Sequence, residues 1–386
     1  MTIQTPMGFR VRDELPLATT GPVIARARRD DRYPVFVTRG ADETERVLAS
    51  LLLDTTTAAL IVDGGVEELY GGELVAALRR DHIGVMACAV PPGERSKSLE
   101  RACELLGWLA NSRLGRRDAV INLGGGVVCD LGGWVASSYM RGVPYVNVPT
   151  TLLAMVDGAL GGKLGVNHAR AKNLIGGFQQ PLGVVADVSF LRSLAGRHVS
   201  AGLAECIKKA VIASPAYFTF LERHTGALLD GDLDMLADLV TSAASIKTQL
   251  IERDPYEEDL RRPLNFGHTV GHPLETITGY GPLLHGEAVA FGMLAEARIA
   301  LARGWMADTL FARLHDLIAA CRLPVHARDL PVAVDPAALT DALEKVRLIR
   351  GGSLRWVLPV ALGEAVIADD VGEQELAAAL AGLGVR

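Results

Sequence analysis

Residues 118–133 read DAVINLGGGVVCDLGG. A strand-like run from Ala119 to Leu123 stops at three glycines, Gly124, Gly125 and Gly126, and passes into an apolar stretch that suits a helix. A strand that turns through glycine into a helix is the building unit of a parallel α/β sheet. It also brings a pyrophosphate-sized space up to the first amides of the helix. The spacing is GGGxxxD rather than GxGxxG, so this segment alone reads equally well as a tight connection. Working outward, TAALIVDGG, IGVMACAVPPG, PYVNVPTT and GVVADVSF are further short strand-like runs closed by Gly, Pro or Asp. Their alternation with amphipathic stretches from about Pro34 to Asp187 implies a largely parallel sheet. Past Leu191 the pattern turns to long helical periodicity in AGLAECIKKAVI, DMLADLVTSAASIKTQLIERD and EAVAFGMLAEARIALARG, with little strand signal until SLRWVLPVALGEAVI. The expectation is an α/β nucleotide-binding domain over residues 1–190 and an all-α domain over 191–386, with a cleft between them.

Composition agrees with that plan. At 386 residues the chain exceeds one compact core, and 49% apolar residues supply two. A net charge of −6 argues against nucleic acid or an anionic membrane as partner, so an anionic substrate must be met by local basic clustering. The five cysteines are scattered without a CxxC, which points to a reducing compartment and away from disulfides or a thiolate metal site. The N-terminus has no apolar targeting core, and the apolar run Ala288 to Ala302 is broken by Glu296 and Arg298. A cytoplasmic protein is expected.

Candidate sites follow the strand ends. Asp63 closes the strand LIVD where a carboxylate can take ribose hydroxyls; PPGERSK offers Glu94 and Lys97, and Thr150 and Thr151 end YVNVP. With Gly125 and Gly126 these make a dinucleotide plausible at one sheet edge. VDGALGGKLGVNHARAKN, residues 156–173, carries Asp157, Lys163, Lys172 and Asn173 in a Gly-rich run and reads as an anion site, a solvated loop being the alternative. Glu205 and Lys208 lie three apart on one helix face, which a surface ion pair would also explain. Lys247, Glu257 and Arg261 precede LNFGHTVGHPLE, in which Asn265 stands three residues before His268. His268 and His272 are four apart, stacked on one helix face, and His285 follows seventeen residues after His268, past Gly279, Gly281 and Pro282. One divalent metal could collect these imidazoles, with a carboxylate as the expected further ligand. Spacing leaves the ligand set open.

Taken in order, GGGVVCDLGGWVASSYMRG, VPTTLLAMVDGALGGKLGVN, GLAECIKKAV, LNFGHTVGH and HGEAVAFGM resemble the sugar phosphate cyclase superfamily, whose best-known member is 3-dehydroquinate synthase. The resemblance runs from about Asp63 to Leu358. It implies a dehydroquinate synthase-like fold, tightly held NAD, and zinc or cobalt in the cleft. By this likeness Glu205, His268 and His285 hold the metal, and His272 passes to the substrate. Asp157, Lys163, Lys208, Lys247, Arg261, Asn265 and His272 are the catalytic candidates. Asn173, Glu257 and Arg347 would bind substrate together with Arg141, which in a homodimer would reach the neighbouring subunit's phosphate site. The cofactor positions are Asp63, Glu94, Lys97, Gly125, Gly126, Asp130, Thr150 and Thr151, with Lys172 added to them.

The implied reaction converts a phosphorylated heptulose into a carbocycle: transient oxidation by NAD, loss of phosphate, return of the hydride, and intramolecular aldol closure. Two departures bear on the substrate. Val346-Arg347-Leu348 stands where dehydroquinate synthases carry Asp-Lys-Lys, and arginine's planar fork does not replace a lysine point charge. Pro273, Gly158-Ala159 and Gly65 also differ from the usual residues. Asn265, His272 and Arg261 speak for 3-dehydroquinate synthase; the altered triplet inclines the reading to a sedoheptulose 7-phosphate cyclase of the 2-epi-valiolone synthase type. A metal-dependent NAD polyol dehydrogenase is the alternative from another class, and Lys163, Asn173, Lys208, Lys247 and Arg141 speak against it because such an enzyme needs no phosphate cage.

Overall fold

The alternation read from the sequence resolves into six parallel strands. In a computed structural model, which describes residues 31–168, 171–256, 262–349 and 352–385, the first part of the chain runs β1 (Val35–Thr38), α1 (Ala41–Leu51), β2 (Thr57–Asp63) and the single turn α2 (Gly64–Val66). A π-helical turn leads into α3 (Gly72–Arg80), then β3 (Gly84–Val90), α4 (Leu99–Asn111), β4 (Ala119–Gly124), α5 (Gly126–Ser138) and β5 (Tyr145–Pro149). An antiparallel hairpin, β6 (Lys163–His168) and β7 (Ala171–Phe178), precedes β8 (Gly183–Asp187). The main sheet has the order β1-β8-β5-β4-β2-β3, parallel throughout.

Both faces of this sheet are covered, which is why its strands are continuous apolar runs rather than alternating ones. In β2, Ala58, Leu60 and Val62 pack with Leu48 of α1 and Leu74 and Leu78 of α3. Ala59 and Ile61 face the other way, onto Leu105 and Leu109 of α4 and Leu131 and Val135 of α5. The pleat thus sorts neighbouring residues into two cores.

Helices dominate after the sheet: α6 (Gly196–Ala213), α7 (Pro215–Leu229), α8 (Leu233–Arg253), α9 (His268–Ile277), α10 (His285–Ala302), α11 (Asp308–Ala320), α12 (Pro336–Ile349) and α13 (Glu373–Gly382). Helix α10 is fully enclosed from Ala288 to Ala297 and, apart from Glu296, apolar all round there. The first apolar core continues from the sheet into Leu203, Ile207, Phe291 and Leu294, and Tyr33–Arg386 forms one compact unit.

Two elements differ from expectation. The helical part also holds an antiparallel hairpin, β9 (Trp356–Ala361) and β10 (Glu364–Ala368), from the SLRWVLPVALGEAVI stretch. The Gly-rich run 156–173 is no open loop: Lys163 onward pairs with β7, and Gly176 lets the strands close, since a Cβ there would lie 2.2 Å from the Leu164 carbonyl oxygen. Among the described residues no helix is long and apolar enough to cross a membrane.

Candidate functional site: a sheet edge and a buried charged centre

The strand order reverses between β2 and β4, because the chain leaves β2 for β3 on one side and returns to β4 on the other. Such a switch point opens a crevice beyond the carboxyl ends of the strands. Asp63 stands there at the end of β2, its carboxylate accepting the Gly65 N–H at 2.9 Å. Gly124 ends β4, and a Cβ on it would meet Val128 Cβ at 2.8 Å and Asp63 Cβ at 3.2 Å. Gly125, the cap residue of α5, lies against Thr151, with 3.1 Å from an added Cβ to Thr151 Cγ2. A Cβ on Gly126 would meet nothing within 4 Å. Among the described residues no side chain caps α5, which leaves its first amides able to take an anion.

Next to this edge Lys97 is nearly buried, and its ammonium touches Asp130 Oδ2 and Asn173 Oδ1. Burial pushes the Asp130 carboxyl up, against the pull of Lys97. Asn173 sits in the left-handed region at φ 53° and donates its N–H to Asn167 Oδ1 at 3.0 Å, while Asn167 donates to Glu94 Oε1 at 2.7 Å. Residues assigned above to cofactor (Glu94, Lys97, Asp130) and to substrate (Asn173) therefore share one network.

The charged centre is built on helices. Glu205, Lys208 and Lys209 rise from one turn of α6, and all three are buried. Lys208 Nζ contacts Glu205 Oε2. Lys209 Nζ lies 3.4 Å from the same oxygen and 3.0 Å from Asp157 Oδ1. Asp157 comes from the π-helical turn Ala154–Gly158, and Lys247 of α8 reaches its Oδ1 at 3.0 Å and donates to its carbonyl at 2.6 Å. Two carboxylates thus share three ammonium groups. Burial alone would raise the acids, yet the lysines hold both Asp157 and Glu205 well below the usual carboxylate range. Burial lowers Lys247 to about 8, whereas Asp157 and Glu205 overcome it at Lys209 and push that group up to about 12.

Glu205 Oε1 is the informative atom. It is buried and has no hydrogen-bond partner among the described residues. It faces His268 Nε2 at 3.6 Å and His285 Nε2 at 3.7 Å. His268 Nδ1 is 3.1 Å from the Phe266 carbonyl oxygen, and His285 Nδ1 is 2.9 Å from Glu275 Oε2. The outer nitrogens are occupied, so both inner nitrogens turn to the same point as the carboxylate oxygen. Burial and Lys208 hold His268 well below its ordinary range. For His285 burial works in the same direction, but Glu275 and Glu205 prevail and push it up to about 10. An orphaned buried oxygen converging with two imidazole nitrogens fits a divalent metal. His272, exposed one turn after His268, also has a ligand nitrogen within 4.8 Å of those of the other two histidines. Its ring centroid is 4.9 Å from that of His268 and 5.8 Å from that of His285.

Glycine lets these helices meet at backbone contact. A Cβ on Gly286, next to His285, would lie 1.9 Å from the Ala201 carbonyl oxygen of α6. On Gly292 of α10 it would lie 2.0 Å from the Gly267 carbonyl oxygen, just before α9. Glu296 of α10, fully buried, caps α9 by accepting the N–H groups of Gly267 at 2.9 Å and Thr269 at 3.2 Å.

The remaining candidates come from the hairpin, where Lys163 is near enough to lower Lys247, from α12 and from two short turns. Lys172 is held by Glu275 Oε1 at 3.0 Å and sits 4.3 Å over the Tyr280 ring, on the α9 side of the hairpin. Arg347 pairs with Glu344 at 2.7 Å at the exposed end of α12, with Leu348 exposed beside it. Arg141 is exposed in a left-handed turn with φ 65°, Lys163 is exposed at the start of β6, and Asn265 is half-buried. Arg261 and Glu257 lie outside the described residues. Lys209, Glu275 and Glu296 carry no sequence signal of their own, because each is defined by a partner far along the chain.

Similarity to known proteins is extensive. The sequence model described as 3-dehydroquinate synthase N-terminal matches residues 87–201, and the one described as 3-dehydroquinate synthase C-terminal matches 202–345. A 2-epi-valiolone synthase of Actinosynnema mirum is 48% identical over 381 residues, covering 98% of this chain and 99% of the relative. A 3-dehydroquinate synthase of Desulforamulus reducens is 42% identical over 354 residues, covering 90% and 96%. Among solved structures, ValA, a 2-epi-5-epi-valiolone synthase from Streptomyces hygroscopicus subsp. jinggangensis with NAD+ and Zn2+ bound, superposes with a TM-score of 0.85 at 30% identity, covering 93% of this chain and 99% of that one.

Proposed function

From the premise that this chain belongs to the 3-dehydroquinate synthase family of sugar phosphate cyclases, we propose that it cyclises sedoheptulose 7-phosphate with loss of phosphate, as a 2-epi-valiolone synthase type of enzyme. The observation that carries the catalytic reading is the convergence of Glu205 Oε1 with His268 Nε2 and His285 Nε2. For the substrate, the support is the 48% identity to the 2-epi-valiolone synthase against 42% to the 3-dehydroquinate synthase, together with Arg347 and Leu348 in place of the usual lysines.

Glu205, His268 and His285 would hold zinc or cobalt, and Asp63, Gly125, Gly126, Thr150 and Thr151 would line the NAD crevice. When bound, these groups supply a Lewis acid for a substrate hydroxyl and a reversible hydride acceptor. The chain's own residues do the rest. Lys208 and Lys247 bring positive charge to a site that must receive a phosphate ester, joined by Lys163 and Asn173 from the hairpin. Their buried carboxylate partners keep the unliganded site neutral enough to fold. His272, exposed beside the ligand pair, would meet a substrate oxygen. Glu94, Lys97 and Asp130 fix the hairpin beside the nucleotide edge, and Lys172 anchors it to α9. On the same reading the chain divides near residue 190, acts in the cytoplasm, and pairs as a homodimer in which Arg141 reaches across.

The test is to incubate the purified protein with NAD and zinc or cobalt and, separately, sedoheptulose 7-phosphate or 3-deoxy-arabino-heptulosonate 7-phosphate. Products are identified by mass and NMR, with phosphate release followed. Turnover of sedoheptulose 7-phosphate without accumulation of NADH is expected. Turnover of the second substrate alone would overturn the substrate reading and leave family membership standing.

A further inference from the structure

We propose that Glu275 is a positioning residue of the metal centre, holding His285 in the tautomer that turns Nε2 toward Glu205 Oε1. The proposal rests on the metal reading above. Glu275 lies on α9, while His285 opens α10, and a reversal of the chain brings them together. The carboxylate is 3% exposed, so water does not compete for it. Its two oxygens do different jobs. Oε2 is 2.9 Å from His285 Nδ1, and Oε1 is 3.0 Å from Lys172 Nζ.

The tautomer follows from the donor inventory. A neutral imidazole carries one N–H, and an ionised carboxylate can only accept. A metal at Nε2 would displace the proton there, so Nδ1, facing Glu275, would keep the one N–H of the neutral ring while Nε2 stays turned toward Glu205 Oε1, 3.7 Å away. A carboxylate behind a ligand imidazole also makes that imidazole a stronger donor to a metal. His268 reaches the same arrangement by different means, its Nδ1 resting on the Phe266 carbonyl oxygen at 3.1 Å. The two histidines are oriented alike but supported unlike, one by a neutral carbonyl and one by a charge.

Lys172 makes the charge tolerable. An unpaired buried carboxylate is costly, and the ammonium from β7 neutralises it while occupying the oxygen that His285 does not use. Lys172 stands 3.8 Å from Glu94 as well. The orienting carboxylate is thereby tied to the hairpin that carries Lys163 and Asn173. Neither oxygen is left to reach into the centre as a ligand, so the role of Glu275 is exerted through His285.

The test measures zinc affinity of the full-length, metal-stripped protein by competition with a chromophoric chelator, for wild type, Glu275→Gln and Glu205→Gln. Glutamine keeps the shape but presents an amide that can donate to Nδ1 and favour the wrong tautomer. Zinc affinity of Glu275→Gln should fall 10- to 100-fold, with an unchanged far-UV spectrum and a cooperative melt. A folded Glu275→Gln within threefold of wild type overturns the proposal, provided Glu205→Gln loses zinc. If Glu205→Gln binds zinc like wild type, it is the metal reading that fails. Should Glu275→Gln not fold, the wild type decides. In zinc-loaded protein labelled with 15N-histidine, the His285 signal, assigned by its loss in His285→Ala, should show a proton on Nδ1 protected from exchange with water. A proton on Nε2 instead refutes the role.

Discussion

Replacing Gly286 with alanine adds one methyl group where α10 crosses α6. An ideal Cβ at this position stands 1.9 Å from the Ala201 carbonyl oxygen, 2.5 Å from its carbonyl carbon and 2.6 Å from its Cα. Ordinary contact begins at 3.4 Å, so the helices must part by roughly 1.5 Å. All three opposing atoms are backbone and cannot swing aside as a side chain would. Overpacking of a filled core costs about 1–3 kcal/mol, and the upper end applies here. The same shift reaches the centre, because Ala201 lies one turn before Glu205 and Gly286 follows His285 directly. Metal–ligand distances tolerate only about 0.2 Å. Zinc affinity should therefore fall by at least about a hundredfold, and the unfolding free energy of the metal-free protein by about 3 kcal/mol. Urea denaturation and chelator competition measure the two. Gly107→Ala is the control: it sits exposed within α4 with nothing within 4 Å of an added Cβ, and should stabilise by about 0.5–1 kcal/mol. If Gly286→Ala matched wild type in both assays, contact between α6 and α10 would not be what sets the ligands.

Burial pushes the Glu296 carboxyl up to about 8 against the N–H groups of Gly267 and Thr269. A folded-state value above the unfolded one, about 4.3, means its contribution is full at low pH and is lost as pH rises through about 8, with a slope of up to about 1.4 kcal/mol per unit. Glu296→Gln cannot ionise, so its urea midpoint should vary less than that of wild type between about pH 5 and pH 8; parallel declines would exclude Glu296 as the source. Lys209→Met leaves Asp157 with Lys247 and Glu205 with Lys208, so the loss of stability should be about 3 kcal/mol, the lower end for breaking a buried pair. A loss below about 1 kcal/mol would mean that Lys209 is not needed to neutralise them.

Much of this was legible in order along the chain. Strand-ending Asp63, Gly124 to Gly126 and Thr150 follow from apolar runs closed by turn residues, because pleat and turn are local properties. Their meeting at one edge required only that the strands be parallel. The spacing of His268 and His272 likewise predicts a shared helix face, and the motif order carries family membership. What spacing could not decide is which nitrogen of each imidazole looks inward, since that depends on Phe266 in one case and on Glu275, across a chain reversal, in the other. Nor could it distinguish Lys209 from a surface lysine, because its partner Asp157 lies 52 residues away. The same holds for Gly286, whose need for a bare Cα arises from Ala201 on another helix. Local periodicity determines which residues share a face; only packing of the helices in three dimensions determines what that face meets, and the chemistry of the buried charges comes from those meetings.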